Sequence, residues 1–150
     1  VSSTERAAAL GDERWKAVLD RHDGVARSAV ERGAGRVVKT TGDGVLAVLP
    51  SASAALRAAH EIRRALTRDE LEVRIGIHVA EVEARGDDVA GLGVHVAARI
   101  MSRAEAGEVL VSATVPPIVG GDVAAFTPRG RHALKGVPGE WELFAAADDA

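Results

Sequence analysis

The chain contains no cysteine and no tyrosine, and only 3% of it is aromatic. Without cysteine there are no disulfides, thiolate metal sites or cysteine nucleophiles, which fits a reducing compartment. So few aromatic side chains argue against the stacking platforms with which proteins hold single-stranded nucleic acid. Excess positive charge is also missing: the formal net charge is −3, so no polyanion-binding surface, and hence no nucleic-acid partner, is expected. No apolar run is long enough to cross a bilayer, and no secretory leader opens the chain, so this segment is expected to make no membrane contact. Lysine is scarce, with Lys16, Lys39 and Lys135 the only three. The first residue is Val1 rather than Met, which reads as a piece of a longer protein with an anchor or regulatory domain outside it.

What is present suits one globular domain. The 150 residues can bury a real core, and 47% apolar with 27% charged residues are ordinary values for a folded chain. From Thr4 the apolar positions Ala8, Leu10, Trp15, Val18, Leu19, Val25, Ala29 and Val30 recur at helical spacing. A break at Gly11-Asp12 lets Asp12 cap a second helix, which Gly33 and Gly35 end. Pro50 and a cap at Ser51 or Ser53 start another helix through Leu56, Ala59, Ile62 and Leu66. Leu71, Val73, Ile75 and Ile77 alternate with Glu72, Arg74 and Gly76, a half-buried strand that continues as extended chain from Val79 to Ala84.

Arg85 to Asp88 reads as a polar loop, Gly91 to Ala104 as a helix, Val109 to Val111 as a short strand and Trp141 to Ala145 as the last strand. Pro116-Pro117 and Gly120-Gly121 punctuate the stretch between, and Ala146 to Ala150 reads as a frayed tail. Strands mixed with helices, and joined by hairpins, predict an α+β class: an antiparallel-rich sheet backed by helices.

The most informative spot is Gly42-Asp43-Gly44, set between the apolar runs of Val37-Val38 and Val45 to Leu49. Asp-Gly between such runs is a strong hairpin signal, because glycine accepts the positive φ of a tight turn. Asp43 is then either a turn residue alone or a carboxylate at a rigid tip that holds a hard cation such as Mg²⁺. His22, His60, His78 and His132 have no partner at metal-ligand spacing and read as structural or exposed. No nucleophile-elbow pattern supports a Ser-His-Asp arrangement.

Four further features matter together: Lys39-Thr40-Thr41-Gly42-Asp43-Gly44, Asp88 before Val89-Ala90-Gly91, His95-Val96-Ala97-Ala98-Arg99, and Leu134-Lys135-Gly136. In this order, with Val1-Ser2-Ser3-Thr4-Glu5 ahead of them, the chain resembles the catalytic domain of class III adenylyl and guanylyl cyclases over nearly its whole length. The resemblance implies a ferredoxin-like α+β domain, an antiparallel sheet flanked by helices, spanning 1–150 as a single catalytic domain without its first strand. It implies a head-to-tail homodimer with nucleotide sites between the chains. The implied reaction is in-line attack of the ribose 3′-oxygen of a nucleoside triphosphate on the α-phosphate, yielding a 3′,5′-cyclic monophosphate and pyrophosphate, with two Mg²⁺ or Mn²⁺ ions per site.

Asp43 matches one of the family's two metal carboxylates; the other would precede Val1. Ser2, Ser3 and Thr4 match the helix-opening turn that faces the phosphates. Lys39 and Asp88, with Val89 and Ala90 following, match the base-reading positions: a lysine donor and a carboxylate acceptor suit the edge of adenine, so ATP is the expected substrate. Arg99 matches the arginine that stabilises the transition state, and Lys135 a lysine that binds the triphosphate. His95 stands one helical turn before Arg99, where the family usually has an asparagine that orients the ribose. The resemblance thus implies an adenylyl cyclase that is cytoplasmic, or the cytoplasmic part of a longer, membrane-anchored protein. The rival readings are a guanylyl or relaxed-specificity cyclase, and a degenerate cyclase-homology module that binds nucleotide or a partner without turnover.

Overall fold

Val109–Ser112 is a strand with every residue buried, and the rest of the fold is arranged around it. Val-Leu-Val is a continuous apolar run, the pattern of a strand covered on both faces. A computed structural model describes residues 11–41, 44–68, 71–81, 83–85, 88–119 and 125–147. In chain order its elements are α1 (Asp12–Arg32), β1 (Arg36–Thr41), β2 (Gly44–Val48), α2 (Ala52–Arg68), β3 (Ile75–Ile77), β4 (Glu83–Arg85), β5 (Asp88–Ala90), α3 (Leu92–Arg103), β6 (Val109–Ser112), α4 (Pro116–Val119), β7 (Ala125–Ala133) and β8 (Glu140–Ala147).

The main sheet has the strand order β3-β6-β8-β7. β8 runs antiparallel to both β6 and β7, whereas β3 and β6 are parallel, with α3 in the connection between them. Two further antiparallel ladders join β1 to β2 and β4 to β5. The predicted α+β architecture is therefore borne out, with β3–β6 as the parallel exception.

Helices cover both faces of the main sheet. On α2, Ala52, Leu56 and Ala59 are spaced for one helical face and pack with Ile77, Val109, Val111, Val115 and Ala146. On the other side Val96 and Ile100 of α3 pack with Leu110, Leu134, Val137 and Leu143. Along β6 the side chains alternate, Val109 and Val111 toward α2 and Leu110 toward α3. Full burial of each such Val, Leu or Ile stabilises the fold by about 1.5–3 kcal/mol. The α3 face also demands a residue without a side chain. A Cβ at Gly76 of β3 would stand 2.5 Å from the backbone N of Met101 and 2.7 Å from the carbonyl O of Ala97, so strand and helix meet backbone to backbone.

Several local expectations hold. Thr41 pairs with Gly44 across the β1–β2 hairpin. Ser51, not Ser53, caps α2: its Oγ accepts a hydrogen bond of 3.1 Å from the Ala54 N–H. Other expectations are corrected. Gly11, with φ 82°, holds the N-cap position of α1, and Asp12 is already helical. The strand predicted from Leu71 starts only at Ile75, because the Leu71 N–H bonds back to Leu66 O at the end of α2 and Val73 O accepts from Gly107 N. Arg85 and Asp88 are paired strand residues of a hairpin rather than loop. Ala146 is buried and paired with Phe126, so β8 runs through the start of the predicted tail. Strand β7 was not expected at all, since it carries Pro128 and Gly130. Its place at the sheet edge tolerates a residue lacking an N–H, and a register shift between Pro128 and Arg131 accommodates the glycine. The helix predicted from Thr4 to Leu10 lies outside the described residues.

Candidate active site

Helix α3 places the two site residues that the structure describes most fully. His95 and Arg99 are four residues apart on it, hence one above the other on a single face. The imidazole is exposed, whereas Arg99 is partly buried. The Nε of Arg99 is shut off from solvent and has no hydrogen-bond partner among the described residues. Leaving a buried donor unsatisfied costs about 1–3 kcal/mol. The guanidinium as a whole is a planar fork of donors, the geometry that suits an anion.

The turn that carries Lys135 reaches the same helix. Val137 N donates to Leu134 O at 3.0 Å, and Gly136 between them has φ 79°. That is the signature of a turn with glycine at its third position, where a side chain would be strained. Leu134 and Val137 plug into the apolar cluster beneath α3 and leave Lys135 exposed between them. Gly136 faces His95 directly: a Cβ there would stand 3.1 Å from Nε2 of the imidazole. Arg103 at the end of α3 adds a hydrogen bond of 2.8 Å to Ala133 O, and Trp141 Nε1 donates to Pro138 O at 3.2 Å, so the turn is fastened on both sides. The structure thus brings the Lys135 turn to the helix that carries His95 and Arg99.

Strand β5, which contains Asp88, Val89 and Ala90, lies against both α3 and β1. Lys39 is in β1, paired with Leu46, directly after a register shift that begins at Val37. The strands bearing the two positions expected to read the base are therefore neighbours, although the side chains of Lys39, Asp88, Val89 and Ala90 lie outside the described residues. Ser2, Ser3, Thr4 and Asp43 lie outside them entirely. Among the described residues no group of three or more His, Asp or Glu side chains is placed to hold a metal ion. Nor is any helix among them long and apolar enough to cross a membrane.

One polar cluster went unrecognised in the sequence. His78, just after β3, contacts the fully buried Ser112 through Nδ1 at 2.6 Å, and Ser112 Oγ lies 2.8 Å from Thr114 Oγ1. Thr114 in turn donates to the Val79 carbonyl at 3.4 Å. The indole of Trp141 meets the imidazole edge-on at 5.6 Å between centroids. Burial lowers the pKa of His78 below its ordinary 6.5. A signal was available only in hindsight, in a histidine ending an apolar strand and a serine ending another.

The chain as a whole is similar to nucleotide cyclases. The adenylate and guanylate cyclase catalytic domain profile matches residues 17–146. A putative adenylate cyclase 3 from Rhizobium meliloti is 34% identical over 133 residues, covering 83% of this chain and 22% of that protein. An adenylate cyclase from Glutamicibacter nicotianae is 32% identical over 115 residues, covering 75% of this chain and 28% of that one. The chain therefore spans between a fifth and a third of the length of these relatives. Among solved structures, an adenylate/guanylate cyclase/hydrolase from Silicibacter pomeroyi superposes with a TM-score of 0.78 at 33% identity, over 90% of this chain and 88% of that one. With its α+β fold, the Arg99 face of α3 and these likenesses in agreement, the chain belongs to the class III adenylate and guanylate cyclase catalytic domain family.

Proposed function

We propose that this chain is a single catalytic domain that converts ATP to 3′,5′-cyclic AMP and pyrophosphate, working as a homodimer with nucleotide sites between the chains. The observation that carries the reading is the Nε of Arg99, buried and without a hydrogen-bond partner among the described residues, one helical turn from His95, which faces the fastened Lys135 turn. Arg99 offers its guanidinium to the α-phosphate as negative charge builds there in the transition state. Lys135, exposed on its rigid turn, pairs with the outer phosphates and holds the pyrophosphate as it leaves. His95 hydrogen-bonds the ribose in place of the family's asparagine and keeps the 3′-hydroxyl aligned with the phosphorus. Lys39 and Asp88 read the adenine edge, Val89 and Ala90 line the site beside it, and Ser2, Ser3 and Thr4 face the phosphates through backbone N–H groups. The contact of β5 with β1 supports the pairing of Lys39 with Asp88 in one pocket. The register shift before Lys39 is a device common beside active sites.

Asp43 is the residue of this chain that would hold Mg²⁺ or Mn²⁺, with two ions at each site. When bound, the metal neutralises phosphate charge and lowers the pKa of the 3′-hydroxyl. A carboxylate on a two-residue connection between paired strands has the hard oxygen donors these ions prefer. We place the domain in the cytoplasm, where ATP is supplied.

The test is a cyclic-nucleotide assay of the full protein with Mn²⁺ and either ATP or GTP. Formation of cyclic AMP with a kcat/KM for ATP well above that for GTP is expected. A preference for GTP would assign the chain to guanylyl cyclases. Nucleotide binding without turnover of either substrate would make it a cyclase-homology module, the reading that histidine at position 95 favours.

A further inference from the structure

His78 stands where the chain leaves the main sheet for the β4–β5 hairpin. We propose that His78 is a positioning residue for the base pocket: its hydrogen-bond chain through Ser112 and Thr114 fixes the exit of β3, and with it the hairpin that carries Asp88. The inference rests on the reading of Asp88 as a base-recognition residue.

The chain of hydrogen bonds has a direction. Thr114 has one hydroxyl proton and gives it to the Val79 carbonyl. Its oxygen must then accept from Ser112, 2.8 Å away, and Ser112 Oγ must accept from Nδ1–H of His78 at 2.6 Å. The longer approach of Nδ1 to Thr114, 3.5 Å, fits the same donor. With Thr114 donating to Val79, the proton of the imidazole is assigned to Nδ1. The imidazole is neutral at pH 7, because burial lowers its pKa. Ser112 is fully buried at the end of the central strand β6, so the chain is anchored in the most enclosed part of the sheet.

Both neighbours of the exit are held by the same parts of the fold. Val79 is caught at its carbonyl by Thr114, and the imidazole itself is steadied by the edge of Trp141 on β8. Ala80 then passes so near α3 that a Cβ on Gly93 would stand 2.7 Å from its methyl group. Beyond Glu81 the chain enters the hairpin, whose second strand begins at Asp88 and lies against α3 and β1. Three contacts within three residues thus set the direction in which the hairpin leaves the sheet. Loss of the imidazole donor removes the first of them and leaves Ser112 buried with a poorer partner set.

The experiment compares His78→Leu, which keeps bulk without the donor, with His78→Asn, which returns an N–H near Nδ1. Each is measured for kcat and KM with ATP and GTP, and for amide hydrogen exchange across residues 79–90 in the nucleotide-free protein. His78→Leu should raise KM for ATP about tenfold, the scale of one lost hydrogen bond, and narrow the preference for ATP over GTP, with kcat changed less than about twofold. Exchange across 79–90 should accelerate about tenfold in His78→Leu. His78→Asn should restore both readouts toward wild type. Unchanged KM and unchanged exchange in a folded His78→Leu would overturn the proposal, as would a loss shared equally by the leucine and asparagine variants. If His78→Leu does not fold, Thr114→Val at an exposed position breaks the same chain and takes its place in the comparison. A wild-type protein that turned over neither nucleotide would refute the cyclase reading, whereas the exchange measurement would still decide whether His78 holds the hairpin.

Discussion

Gly136 and His95 are in contact across 41 positions of sequence: the glycine's missing Cβ would stand 3.1 Å from Nε2 of the imidazole. The contact couples the Lys135 turn to the first turn of α3, and the positive φ of Gly136 keeps it that close. Gly136→Ala is expected to strain the turn by about 1 kcal/mol and to push the imidazole aside. Steady-state kinetics should show kcat/KM for ATP down about tenfold or more, because small misplacements of positioning groups are costly. Thermal unfolding of the same variant should shift by only a few degrees.

Arg99 should separate activity from stability. Arg99→Ala is expected to lower kcat by about 10²–10³, the usual scale for a lost transition-state donor. The unfolding temperature should stay level or rise, since a buried donor without a partner among the described residues is removed with the side chain. A fall in stability that tracks the fall in activity would mean the guanidinium serves the fold.

The shared-site arrangement can be read from mixed chains. In the proposed dimer, Asp43 and Lys39 of one chain serve different sites, one holding metal and the other reading the base. Asp43→Ala and Lys39→Ala proteins should each be inactive alone. Mixed under conditions of proven subunit exchange, they should regain activity at one site per heterodimer, measured as cyclic AMP formed. No recovery would exclude the cross-chain model.

Acid should weaken the fold through His78. Its native pKa lies below the ordinary 6.5 because burial disfavours the charged ring. Between that lowered pKa and 6.5 the unfolded chain binds more protons than the native one, so stability falls as pH is lowered through this window and levels off beneath it. The unfolding temperature of wild type should therefore drop more between about pH 7.5 and pH 5.5 than that of His78→Asn, which has no proton to take up there. Equal drops would show that other groups carry the acid sensitivity.

What was legible in the sequence is what depends on local spacing. The α2 helix follows from Leu56, Ala59 and Leu66 at helical intervals behind a serine cap, and the β1–β2 hairpin from Asp-Gly between apolar runs. His95 and Arg99 share a face because four residues make about one turn. What was not legible depends on tertiary pairing. β7 hides behind Pro128 and Gly130, which a sheet edge tolerates and a local reading penalises. Leu71 alternates like a strand residue, but its N–H is spent on closing a helix. The partners of His78 lie 34 and 36 positions away, beyond the reach of any periodicity.

The backbone contact at Gly76 makes β3 and α3 behave as one stiff lever. With the strand within 2.5 Å of Met101 N as measured from a virtual Cβ, the helix has no slack in which to slide or roll over it. Arg99 therefore inherits its register from the sheet and moves only when the sheet moves. β1 and β2 belong to a different ladder among the described residues.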